Sequence, residues 1–233
     1  MEKDIYCCDV KTKKERRQSS ITKNELFRSS LKQAVSNGIK FEYALGDTWF
    51  GAKDNMEFIH YKIQKKFIFG MKANRLIALS KEDKKKHQYH KLSTLDFQDG
   101  EKKIAWLKDQ AFPVAIIKKV FTNGDGSTGI LYLVTNDLDI DADTVYEIYQ
   151  KRWRIEEYHK SIKQNASLEK SPTKVVRSQK NHIFASIIGY CKLEMLKIKT
   201  KLNHFAIKQK LLLRANQVTL EELWKLRKLC NSA

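Results

Sequence analysis

Five side chains between residues 149 and 163 have the types and spacing to handle a phosphate: Tyr149, Arg152, Glu156, Lys160 and Lys163. On a helix turning roughly 100° per residue, Tyr149, Arg152, Glu156 and Lys163 fall in a stripe of about 60°, with Lys160 beside it. One row then carries an aromatic hydroxyl, a guanidinium, a carboxylate and an ammonium. Arg152 and Glu156 are four residues apart and also read as an ordinary surface ion pair worth a few tenths of a kcal/mol. That reading leaves the two further turns with Lys160 and Lys163 unexplained. A carboxylate that is to bind a divalent cation next to phosphates needs such flanking cations, because the two negative groups otherwise repel. A second carboxylate, Asp47, closes the β-rich run "FEYALGD". Alone it reads as a strand-end or helix-capping residue; with Glu156 it becomes a candidate metal ligand.

The elements that must position these residues are readable from periodicity. Residues 3–10 predict a strand, and Thr22-Lys-Asn-Glu25 has capping-box spacing for a helix with Leu26, Leu31 and Val35 on its apolar side, stopped by Asn37-Gly38. The run ending at Asp47 predicts a strand; "KDNMEFIHYKIQKK" predicts a helix with Met56, Ile59 and Ile63 inward; "FIFGMKA" predicts another strand. Strand, helix, strand, helix, strand is the order of an α/β layer with parallel pairing. Between residues 74 and 140 the pattern changes to strands around "LIALS", "KIAWLK", "FPVAIIKKVFT" and "GILYLVT", with "NGDGSTG" as a hairpin link. This block should be mostly antiparallel. From Ala142 a helix runs to about Gln164, with Ile148, Ile155 and Ile162 as a stripe able to pack on a sheet; a loop with Pro172, a long helix from about Gln179 to Leu202 and a basic helical tail follow.

The 233 residues carry a formal net charge of +18, and 42% are hydrophobic. That suffices for a packed core, and a charge spread through foldable sequence points to a polyanionic partner, nucleic acid first. No signal-peptide core or membrane-length apolar run occurs, and no segment joins a basic face to a broad apolar one, so a membrane is not expected as a partner. Cys7, Cys8, Cys191 and Cys230 lack zinc or disulfide-framework spacing and read as reduced thiols. An intracellular, cytoplasmic protein is expected.

Tyr149-x2-Arg152-x3-Glu156-x6-Lys163 resembles the signature of bacterial insertion-sequence transposases that use a DDE carboxylate triad. The stretches "KSIKQNASLEKSPT" and "NHIFASIIGYCKLEMLK" are similar to that family too. The resemblance implies an α/β fold: a ribonuclease H-like core with a β-rich insertion and a helical C-terminal region. It implies that Asp47 is the second and Glu156 the third member of the triad, both as catalytic residues and as metal ligands. It also implies that Tyr149, Arg152 and Lys163 hold DNA near the cleaved phosphate; Lys160, beside their row, is read as a DNA-binding residue with them. The implied chemistry is cut-and-paste cleavage and strand transfer, with Mg²⁺ as cofactor and Mn²⁺ able to substitute. Implied partners are double-stranded DNA, as transposon ends and target, and a second copy in a homodimeric synaptic complex. A bacterial, nucleoid-associated location goes with this.

The first Asp of the triad has no convincing position. Asp4 and Asp9 both lie on the opening strand, and the chain is expected to begin near the third strand of the core, as an N-terminally truncated protein whose core is incomplete. Two functions of different class stay open: the catalytic part of a transposase, inactive or incomplete as a fragment, and a non-catalytic DNA-binding or dimerising remnant able to inhibit a full-length relative. The expected organisation is core over 1–73, insertion over 74–140, core again with the Glu helix over 141–200, and a tail over 201–233. Trp49 and Trp106 are candidates for stacking on an extruded base, with edge or core packing as the alternative. "KEDKKKHQYHK" reads equally as a DNA-contacting or a plainly solvated loop, and His159 and His182 lack ligand spacing.

Overall fold

The computed structural model describes residues 5–8, 15–18 and 20–231, with side chains from 20 to 228. Asp4 and Asp9 lie outside the described residues, as do parts of the opening strand. The chain forms two compact units, Met1–Arg152 and Trp153–Ala233.

In the first unit β1 (Ile5–Cys8) pairs antiparallel with β2 (Glu15–Gln18). Helix α1 (Lys23–Ser36) starts with the expected capping box: the Thr22 hydroxyl accepts from Glu25 N–H, and the Glu25 carboxylate accepts from Thr22 N–H at 2.7 Å. It stops at Asn37, followed by Gly38 at φ +73°. Strand β3 (Tyr43–Gly46) pairs parallel with β4 (Lys66–Met71), Gly46 opposite Phe69. Between them run α2 (Lys53–Glu57) and a π-helical stretch, Phe58–Ile63, closed by Gln64 in the left-handed region.

Strands β5 (Leu76–Ala78), β6 (His90–Lys91), β7 (Lys102–Leu107), β8 (Val114–Thr122) and β9 (Thr128–Thr135) are all antiparallel to their neighbours. The sheet order is β3-β4-β9-β8-β7-β5-β6. Because β9 pairs with β4 as well as β8, the antiparallel block and the parallel pair form one seven-stranded mixed sheet. Both faces of its centre are covered. Phe67 and Phe69 of β4 face a cluster with Met56 and Ile59 and with Phe27 and Leu31 of α1; Ile68 faces the opposite cluster with Val145 and Tyr149 of α4 (Ala142–Gln150). Alternation along β4 with burial on both sides explains its continuous apolar run. The basic segment after β5 holds a short helix, α3 (Lys81–Lys85), capped by the Ser80 hydroxyl accepting from Asp83 N–H, which the charge run concealed.

The single helix expected over 142–164 is two. A 3₁₀ turn, Lys151–Trp153, separates α4 from α5 (Arg154–Gln164), and the boundary between the units falls inside it. A count of roughly 100° per residue does not run through a 3₁₀ turn. Accordingly Ile148 packs on the sheet and Ile162 is buried, but Ile155 is 51% exposed.

The second unit holds α5, α6 (Val176–Thr200) and α7 (His204–Asn231). Ser161 of α5 and His204 of α7 are buried, with Oγ and Nδ1 2.7 Å apart; His204 Nε2 lies 3.2 Å from Glu194 Oε1 of α6, close enough for charge attraction but without hydrogen-bond geometry. Cys191 is an exposed free thiol; nothing is described of the Cys7, Cys8 and Cys230 side chains. Among the described residues no helix is long and apolar enough to cross a membrane.

Candidate active site

Asp47 stands where β3 leaves the sheet, at the C-terminal end of the parallel pair, the end where open α/β sheets form ligand crevices. The loop after it is fixed by close backbone approach. A Cβ at Gly46 would lie 2.9 Å from the Phe69 ring, and one at Gly51 would lie 2.8 Å from the Gly70 carbonyl oxygen. The Asp47 Oδ1 accepts from Trp49 N–H at 2.9 Å, an Asx turn that orients the carboxylate. Buried Asn55 anchors the same loop: its Nδ2 donates to Phe50 O at 3.0 Å and to Asn24 Oδ1 at 2.9 Å, while its Oδ1 accepts from Arg28.

Tyr149 reaches this loop from α4. It is buried against the sheet, and its hydroxyl lies 3.3 Å from where a Gly70 Cβ would be. Burial pushes the Tyr149 phenol up, the charge and hydrogen bond of Arg152 pull it down, and the Asp47 carboxylate adds to the rise. The Arg152 guanidinium sits 5.5 Å from the centre of the Tyr149 ring. Tyr149 therefore feels both the Arg152 charge and the Asp47 carboxylate, although about a hundred residues separate it from Asp47.

Glu156, Lys160 and Lys163 belong to α5 in the second unit, all exposed, with Glu156 in the first turn and Lys163 in the last. Spacings of four and three keep them on one side of that helix. The Lys160 ammonium lies 5.6 Å from the centre of the Phe205 ring. Trp49 is 62% exposed beside Asp47, with Lys23 Nζ 5.5 Å from its ring centre. Trp106 is half-buried on β7, with Lys81 and Lys84 Nζ at 5.9 and 5.4 Å from its ring.

Sequence reasoning missed a cleft of about 470 Å³ beside Asp47. Thr48, Trp49 and Gly51 form one wall, Gly70 and Met71 the floor, and Lys72, Asn74, Arg75 and the Lys108-Asp109 turn the rest. Its three cations come from segments after β4 and after β7, so no run of basic residues announces it.

A mixed α/β sheet with helices on both faces and an acidic residue closing a parallel strand is the architecture of a ribonuclease H-like transposase core. The sequence matches the family described as "Transposase DDE domain" over residues 13–192, and the chain belongs to that family. No curated protein matches it. Transposases of this family generally use divalent metal ions. Among the described residues no three His, Cys, Asp or Glu side chains gather into a group that could hold one. The donor chemistry still fits: Mg²⁺ binds through one or two carboxylates, completing its shell with waters and substrate phosphates, and the carboxylate of Asp47 is oriented and exposed.

Proposed function

We propose that this chain carries the catalytic carboxylates of a DNA-cleaving and strand-transferring transposase, with Asp47 and Glu156 as the metal ligands. A divalent ion held by them, Mg²⁺ or in its place Mn²⁺, would supply Lewis-acid stabilisation of the charge on the attacking and leaving oxygens. The protein's own side chains bind and orient. Arg152, backed by the Tyr149 ring, would grip a phosphate next to the scissile one, and Lys160 and Lys163 would do the same from α5. The observation that carries this reading is that the Tyr149 hydroxyl, with Arg152 beside its ring, reaches Gly70 under the loop that orients the Asp47 carboxylate. The substrates proposed are double-stranded transposon ends and target DNA, handled by a homodimer.

The test is cleavage of labelled transposon-end DNA with Mg²⁺ or Mn²⁺. Asp47→Asn and Glu156→Gln should each lower the rate at least about a hundredfold while binding persists, as expected when transition-state stabilisation is lost. Undiminished cleavage by Asp47→Asn would falsify the assignment. A second reading, a DNA-binding remnant that inhibits an intact relative, is favoured by one observation: the described residues hold no three-ligand group. It predicts DNA binding without cleavage under any divalent ion, and inhibition when mixed with an active relative.

A further inference from the structure

The cleft beside Asp47 has a charge pattern that the carboxylate site does not explain. Lys72, Arg75 and Lys108 line it against a single acid, Asp109. Among the described residues none of the three cations has a carboxylate partner within 4.0 Å, the limit for an ion pair. Three unneutralised cations facing one hollow repel one another, an arrangement that a polyanion relieves. The Thr48–Gly51 loop, which also lines the cleft, is held on the end of β4 by the close approach of Gly51 to Gly70. Trp49 belongs to this loop and lines the cleft.

Size and continuity identify the polyanion. About 470 Å³ is the volume of a site for one small ligand and is too small to enclose a duplex. The cleft does not end there: Lys108 also lines an adjoining hollow of about 380 Å³ with Lys81, Lys84, Lys85 and Trp106. Two narrow hollows that share a cation, each with a tryptophan in its wall, form a track. A basic groove with aromatic platforms is how single-stranded nucleic acid is held without sequence preference.

We propose that this track binds a single strand of DNA leading away from the site at Asp47, its phosphates on Lys72, Arg75 and Lys108 and a base on Trp49. The proposal rests on the functional reading above for the direction of the strand, not for the chemistry of the groove. It makes the region after β4 and β7 the place where one strand is held apart from its complement.

The experiment is an anisotropy titration of the full chain with an eight-nucleotide oligo-dT and with a duplex of equal length, over a series of salt concentrations. Replacing Lys72, Arg75 and Lys108 together by Ala should reduce the single-strand salt slope by about 2, at roughly 0.7 per phosphate contact, and leave the duplex slope nearly unchanged. Trp49→Ala should weaken single-strand binding about tenfold or more. Far-ultraviolet circular dichroism melts of the variants should overlay the parent, because Lys72, Lys108 and Trp49 are exposed and Arg75 is only half-buried. An unchanged slope in the triple variant, an equal loss for duplex, or displacement of the oligonucleotide by inorganic phosphate at constant ionic strength would each overturn the proposal. Asp47→Asn, measured in the cleavage assay, tests the functional reading separately. Cleavage surviving in that variant would remove the functional reading and leave the groove standing, while an unchanged triple-variant slope would do the reverse.

Discussion

Asp47 is an acid made specific by the backbone that holds it. The loop beyond it can lie on β4 only because Gly51 has no side chain: an added Cβ would meet the Gly70 carbonyl at 2.8 Å, a backbone atom that cannot rotate away. Gly51→Ala should therefore cost about 1–3 kcal/mol, a fall of roughly 3–10 °C in melting temperature, and should impair any Asp47-dependent cleavage. Gly124→Ala is the control, since nothing lies within 4 Å of its added Cβ. If both variants melt like the parent, the loop is not held as described. At this scale the sequence was informative about type and silent about support. The Asp at the strand end and the Tyr-Arg-Glu-Lys spacing could be read directly. Asn55, which ties the Asp47 loop to α1 through Asn24 and Arg28, could not be read, because its partners are fixed only by tertiary contact.

Among the described residues the helices of the second unit bury Ile162, Leu193 and Ile207 together with the polar Ser161 and His204. Burial depresses the protonation of His204, opposed by the attraction of Glu194 and aided by the repulsion of Lys197; Tyr190, whose hydroxyl donates to Glu194 at 2.9 Å, is pushed up to about 12, mainly by burial. Since the folded state favours neutral His204, the unfolded chain takes up a proton first. Its contribution to stability is complete above the ordinary histidine value of 6.5 and declines as pH falls from there through the folded value. Urea midpoints measured from pH 7.5 down to 5 should therefore drop more for the parent than for His204→Leu, and Ser161→Ala should cost about 1 kcal/mol at neutral pH. Parallel pH profiles for parent and His204→Leu would contradict this. Local signals predicted the elements well: the Thr22 capping box, the hairpin at Asn123–Gly129 and the strand at "FIFGMKA" all appear where their chemistry placed them. What failed was helical phase across Lys151–Trp153; Met56 and Ile59 are buried as counted. The 3₁₀ turn departs from the 3.6-residue repeat that such counting assumes, whereas the π-helical stretch Phe58–Ile63 departs from it without moving Ile59 out of the core. The pairing of β9 with β4 joins segments more than sixty residues apart and leaves no local trace.

For the whole molecule, the functional reading assigns one carboxylate to each unit, Asp47 to the first and Glu156 to the second. That division makes cooperation between them measurable by kinetics. Groups that serve one metal-dependent step act as a unit, and removing either destroys what the other supports, so their losses do not add. If Asp47→Asn and Glu156→Gln each lower cleavage at least about a hundredfold, the double variant should be no more than about threefold worse than the poorer single variant. Independent roles predict multiplied losses, at least about ten-thousandfold in the double variant. The comparison is protected from misfolding by measuring duplex binding alongside. The electrostatic share of that binding comes from a chain with a net charge of +18, and replacing one carboxylate by its amide scarcely alters it. Arg152→Ala supplies the complementary arm: it should flatten the salt dependence of duplex binding by about one phosphate contact and leave the coupling between Asp47 and Glu156 intact. Multiplied losses in the double variant would separate the two carboxylates functionally, leaving Asp47 with Tyr149 and Arg152 as a site of its own.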